Sequence, residues 1–135
     1  MQTLDYATLL RLARGANAVT APCTCVAVPL AAWQALPLSL ELERFEDIGA
    51  LFVDPYDQPH DEPTFAEYHP AGTHYHDADA PIAPRYYPCN RCTVARCTLC
   101  DRHYLRYNEA GGYFTELRIR ALQPDLLVDA ALPPT

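Results

Sequence analysis

The chain has no lysine, five glycines among 135 residues, and one methionine and one tryptophan. With no lysine, every fixed positive charge rests on arginine. Together with abundant alanine and proline, this is the coding signature of a GC-rich genome before it is a functional signal. Scarce glycine against thirteen prolines predicts rigid, extended connections and few long helices. No stretch approaches the roughly 20 consecutive apolar residues that a membrane-spanning helix needs. The segment Met1-Gln2-Thr3-Leu4-Asp5 has no basic run leading into an apolar core, and Arg11 and Arg14 interrupt what would be that core. The expectation is therefore no signal peptide, a soluble protein and a cytoplasmic location. There is no internal repeat and no low-complexity segment.

What is present is enough for one domain. Half of the residues are hydrophobic, which excludes wholesale disorder. A chain of this length buries roughly two-thirds of its unfolded surface, so residues 1–135 are read as a single domain.

Leu4, Ala7 and Leu10, with Leu9 and Leu12 beside them, recur near helical spacing. They predict an amphipathic helix over residues 3–14, with Thr3 or Asp5 as cap and Gly15 at its end. Pro22–Val28 reads as a short buried strand after a turn, and residues 30–36 as a helical turn after Pro29, with Trp33 as a core anchor. Leu38, Leu40 and Leu42 alternate with Ser39, Glu41 and Glu43, the period of a strand with one wet face. Ile48–Val53 is the next strand candidate, making a hairpin across Arg44–Asp47 plausible. Residues 54–84, with six prolines, read as a long irregular excursion with a turn of helix near Thr64–Tyr68. Such a loop serves either as a binding loop or as a surface flap. Arg102–Asn108 and Tyr113–Leu122 then form a β-hairpin about Gly111-Gly112, a helix over Thr115–Leu122 being the competing reading. The expected fold class is α+β: an N-terminal helix, an antiparallel sheet, and a C-terminal hairpin that follows a knuckle-like CxxC turn.

Cys89-Asn90-Arg91-Cys92 and Cys97-Thr98-Leu99-Cys100 are two CxxC elements four residues apart. A CxxC turn brings two thiolates to one metal at about 2.3 Å, while backbone amides point at the sulfurs. Two such turns supply a closed tetrahedral site, so Cys89, Cys92, Cys97 and Cys100 are the first candidate ligands of a structural zinc ion. The short spacing is cramped against the 15–20 residues common between such turns. A second arrangement, Cys23 and Cys25 with Cys97 and Cys100, therefore stays open, and His103 is a possible substitute ligand. Free thiols are the bland alternative; a disulfide or an iron–sulfur site is a further one. Six cysteines with no sign of export favour metal over disulfides. Four thiolates leave no open position for substrate, which makes such a site structural.

His69, His74 and His76 fall within eight residues. On a strand, His74 and His76 would share one side, and Glu67 or Asp77 would add a carboxylate, as in a small metal-dependent hydrolase. There is no HExxH, so a proline-broken loop with incidental histidines is the plainer account. No catalytic residues are assigned, and the reading leans away from an enzyme.

Charge is segregated. Residues 41–79 hold eleven acids and one arginine, whereas residues 85–120 hold seven arginines and three acids. The arginines, interleaved with tyrosines, either face nucleic acid or pair with the acidic half. A net charge of −7 repels a polyanion and favours the second choice. The expected partner is another protein, bound by a zinc-stabilised module through its acidic loop or its Tyr/Arg hairpin.

Finally, Ala80-Pro81-Ile82-Ala83-Pro84-Arg85-Tyr86-Tyr87-Pro88, Asn90-Arg91-Cys92, Cys97-x-x-Cys100, Tyr104-Leu105-Arg106-Tyr107, Glu109, Gly111-Gly112-Tyr113 and Arg118-Ile119-Arg120 together carry a resemblance. This run looks like an uncharacterised family of small cysteine-containing proteobacterial proteins. The resemblance covers mainly residues 63–122 and, more loosely, Pro22–Trp33. It implies a bacterial, cytosolic origin and no activity.

Overall fold

The computed structural model describes residues 2–37, 39–51, 64–110 and 115–132. Its frame is one helix and a five-stranded antiparallel sheet, an α+β fold. In chain order the elements are α1 (Tyr6–Asn17), β1 (Gln34–Ala35), β2 (Phe45–Ala50), β3 (Thr93–Cys97), β4 (His103–Ala110) and β5 (Thr115–Ala121). The strands lie side by side as β1-β5-β4-β3-β2.

Helix α1 begins later than the periodicity suggests. Asp5 caps it by accepting a 2.7 Å bond from the Thr8 N–H, satisfying one of the amides that a helix start leaves unpaired. Thr3 is drawn away to the sheet edge, where it bridges Ala50. Leu9, Ala13 and Ala16 form the buried stripe. Gly15 does not end the helix, which continues to Asn17.

Both faces of the sheet are covered. Val94 is paired with Leu105, and Leu105 with Arg120. These side chains point to the face packed by Leu9, Ala13, Trp33, Ile82, Cys89 and Cys92. Ala95 is paired with Tyr104, and Tyr104 with Ala121. They point the other way, into a second cluster with Cys25, Leu30, Leu40, Phe45 and Cys97. Arg120 lies fully buried in the first face. Its guanidinium donates to the carbonyls of Ala31, Ala78 and Ala80.

Several sequence readings change. The predicted strand at Pro22–Val28 is a 3-10 turn over Thr24–Val26. The predicted helical turn at residues 30–36 contains the edge strand β1, hydrogen-bonded to β5. The alternating segment around Leu42 is a 3-10 turn, Leu42–Arg44, and the expected polar turn at Phe45–Asp47 is already the start of β2. β2 therefore pairs with β3, not with residues 39–43. A bulge between Asp47 and Gly49 sets Gly49 against Leu4. Val53, residues 54–63 of the long loop, and Tyr113 with the Gly111-Gly112 pair fall outside the described residues. From Thr64 to Tyr68 there is no helical turn. The remainder of the excursion is not a loose flap: Ile82 is fully buried, bridges Leu127 and packs in the first core. Tyr75 stacks on Trp33. The hairpin reading of the C-terminal third holds, with β4 and β5 paired from Tyr104–Ala121 to Ala110–Thr115.

Candidate metal centre

Cys97 ends β3, and Cys100 lies in the turn that leads to β4. That turn closes through Asp101 N–H to Cys97 O and Cys97 N–H to Arg102 O. Asp101 takes the left-handed conformation the reversal requires, at φ 68°, which aspartate tolerates better than most residues. The N–H groups of Leu99 and Cys100 point at the Cys97 sulfur. On the other side, the Thr24–Val26 turn folds Cys23 and Cys25 toward one point, with the Cys25 N–H on the Cys23 sulfur.

The four sulfurs of Cys23, Cys25, Cys97 and Cys100 lie within 4.8 Å of one another. Cys23 to Cys97 is 3.7 Å and Cys25 to Cys100 is 3.6 Å. A tetrahedron with Zn–S bonds of about 2.3 Å has edges of about 3.8 Å. A disulfide would need about 2.05 Å, and all four are free thiols. The group can therefore hold a metal ion.

Its surroundings suit thiolates. The backbone N–H of Cys25 draws the Cys23 thiol down to about 7, so this sulfur ionises first. Burial pushes Cys25 up to about 12 and Cys97 upward as well. A divalent ion would offset that cost by taking the place of both protons. Tyr104, whose own hydroxyl is held protonated by burial, donates to the Cys25 sulfur at 3.1 Å. Arg102 bonds the Cys100 sulfur. It also donates to Ala21 O at 2.8 Å and Val19 O at 3.3 Å. One guanidinium thus ties the N-terminal arm of the site to its knuckle. Thr98 binds Arg44 O through both its N–H and its hydroxyl, and Arg44 reaches Thr24 at 3.2 Å.

The first ligand set, Cys89, Cys92, Cys97 and Cys100, is thereby corrected. The four residues between the two CxxC elements belong to a strand, not a tight loop. Five steps along it at about 3.3 Å each carry Cys97 roughly 16 Å from Cys92. Cys89 and Cys92 are buried in the first core, on the opposite face of the sheet. Burial pushes the Cys89 thiol up to about 12 and Cys92 well above its ordinary value, and Cys92 donates to Pro88 O. Both remain neutral apolar packing. The structure instead brings the alternative pair, Cys23 and Cys25, to Cys97 and Cys100.

His103 is not in the group. It sits opposite Arg96 on β4, buried, its imidazole held low by desolvation. The three loop histidines do not converge among the described residues. His69 is bonded by Thr73 at 2.7 Å and Glu67 at 2.9 Å. His74 faces Asp77 at 3.6 Å, and His76 lies edge-on to Tyr75. Residues 74–76 lie in turns rather than a strand, which removes the same-side geometry expected of His-x-His.

The arginines of the basic half mostly pair with acids. Arg96 binds Glu46 and Asp101, Arg106 binds Asp47, and Arg118 binds Glu109 and Glu116. The spacing of motifs had not pointed to Arg102 and Tyr104 as partners of the sulfurs. The sequence signal was their position directly after the knuckle.

No protein-family model, no curated protein and no solved structure matches the chain. Among the described residues, no helix is long and apolar enough to cross a membrane.

Proposed function

We propose that Cys23, Cys25, Cys97 and Cys100 bind one structural zinc ion and that the chain is a non-enzymatic, zinc-stabilised protein-interaction module. The observation that carries the metal reading is the convergence of four sulfurs at tetrahedral edge distances from segments over 70 residues apart. Zinc suits four thiolates with no bond left for a substrate. A reducing, cytoplasmic setting keeps the thiols available for it.

The interaction reading draws on the rim of the same centre. Leu99, at the tip of the knuckle, is 61% exposed, and Val26 and Leu42 are also exposed. Each of the three lies within two residues of the contacts that Thr98 and Thr24 make to Arg44. Exposed apolar surface of this kind marks contact sites. The internally paired arginines leave little free positive charge for nucleic acid.

Native mass spectrometry with metal analysis tests the reading. One zinc per chain is expected, lost in Cys25→Ser and Cys100→Ser and kept in Cys89→Ala and Cys92→Ala. Zinc lost on replacing His74 and His76 would instead restore the hydrolase alternative. Leu99→Asp, which keeps the metal, is expected to abolish co-purification of the partner.

A further inference from the structure

The four cysteines of the metal centre differ in access. Cys25 and Cys97 are buried, whereas Cys23 and Cys100 are partly exposed. Cys23 lies 3.7 Å from Cys97, and Cys25 lies 3.6 Å from Cys100. Each contact therefore joins a partly exposed cysteine to a buried one, and each crosses from the N-terminal arm to the knuckle. Thiolates are the nucleophiles in thiol oxidation, and reactive ones sit in partly exposed, electropositive surroundings. Cys100 meets both conditions, since Arg102 bonds its sulfur. Cys89 and Cys92 fail the first, being buried in the other core.

We propose, resting on the metal reading above, that the centre is also an oxidation site for hydroperoxides, at which Cys23–Cys97 and Cys25–Cys100 disulfides replace the metal as the clasp between arm and knuckle. At each pair the partly exposed thiolate, Cys23 or Cys100, attacks one oxygen of the peroxide. The O–O bond breaks, hydroxide leaves, and the sulfur becomes a sulfenic acid. The buried sulfur, Cys97 or Cys25, then attacks that sulfur. The S–O bond breaks, a second hydroxide leaves and the S–S bond forms. Two thiolates lose two electrons, and one hydrogen peroxide with two solvent protons becomes two waters. With its thiolates consumed, the site keeps no ligand for the ion.

Closure requires the contacts to shorten from 3.7 and 3.6 Å to about 2.05 Å. Ties that bypass the sulfurs keep the segments adjacent meanwhile. Arg102 donates to Val19 O and Ala21 O, and Arg44, whose carbonyl is bonded by Thr98, reaches Thr24.

The test takes the reduced full chain, with and without one equivalent of zinc, and adds two equivalents of hydrogen peroxide. Native mass spectrometry counts the metal. Acid quenching with N-ethylmaleimide, digestion and stepwise partial reduction map the sulfur pairs. Expected are Cys23–Cys97 and Cys25–Cys100 disulfides, loss of zinc in step with them, and free Cys89 and Cys92. Dimedone present during oxidation should label Cys23 and Cys100. The oxidised chain should melt roughly 12 °C or more above the reduced, chelated one, because the new links span the same loop as the metal. Dithiothreitol should abolish that gain. A chain that takes up no zinc sinks the metal reading, and the pairing is still decided on it. The proposal is overturned by Cys23–Cys25 or Cys97–Cys100 as the main product, by a Cys89–Cys92 bond, or by sulfinic acids in place of disulfides. Zinc retained with all thiols free, dimedone on Cys25 and Cys97 instead, or an oxidised chain that melts with the chelated one overturns it equally.

Discussion

Removing one sulfur from the centre should cost far more than removing one from the core, although both residues are buried cysteines. Cys23 and Cys97 are 74 residues apart in sequence. Treating the metal as a cross-link between them, the chain-entropy relation for a loop of that length gives about 4 kcal/mol at 25 °C. The same relation gives only about 3 kcal/mol for a local staple of eleven residues such as Cys89 to Cys100. Ligand-bond energy adds to either figure, so about 4 kcal/mol is a floor. Against a total stability of roughly 5–15 kcal/mol, this is a large share. For a chain of this size each kcal/mol moves the melting temperature by about 3–5 °C, so Cys25→Ala should lower it by at least roughly 12 °C. Chelation of the wild type should do the same. Cys92→Ala keeps the metal and forfeits one buried sulfur, at about 1 kcal/mol, a shift of roughly 3–5 °C. Thermal unfolding followed by circular dichroism, with metal content measured on the same samples, reads both. Equal shifts in the two variants, or a chelated wild type that melts where the loaded one does, would refute the reasoning.

In metal-free protein, Cys25 and Cys89 are held at about 12 against an ordinary value of 9. Their neutral forms are therefore favoured by folding, and that stability is complete below pH 9 and lost as pH rises toward 12; melting temperatures across this range check it. In the same protein Cys23, at about 7, should be the first thiol alkylated by iodoacetamide at neutral pH, with Cys89 and Cys92 protected until unfolding. Arg120→Met leaves the carbonyls of Ala31, Ala78 and Ala80 without their buried donor and should cost about 3 kcal/mol in denaturant unfolding. Gly49→Ala places a Cβ 2.5 Å from Leu4 Cγ, and should cost about 1–3 kcal/mol as the N-terminal bridge to Ala50 shifts.

The parts legible in the sequence are those whose cause is local. α1 shows because one face of a helix recurs within a few residues. The β4–β5 hairpin shows because its two runs are adjacent. Cys97 and Cys100 show because one turn holds both. β3 was invisible for a physical reason: Val94 and Ala95 are both buried, one on each covered face, so the strand shows no period of two. Missing that strand made the neighbouring CxxC pair look like the natural partner. Cys23 and Cys25 meet the knuckle through tertiary contacts alone, and no spacing rule reaches across 74 residues. The Leu38–Leu42 alternation misled in the opposite sense, since Glu41 and Leu42–Arg44 make a 3-10 turn that feeds β2.

The sheet that divides the two cores also divides their mutational fates. Side chains of the Leu9–Ile82–Leu105 core and those of the Phe45–Tyr104–Ile119 core point away from each other across one layer of backbone. Where residues on opposite sides do not touch, the effects of changing them add. The helix side can therefore drift, repack or be redesigned residue by residue without consulting the metal side. The two histories meet at the sheet's end, where Cys25, Leu30 and Tyr104 of one core line a common cleft with Leu122 of the other.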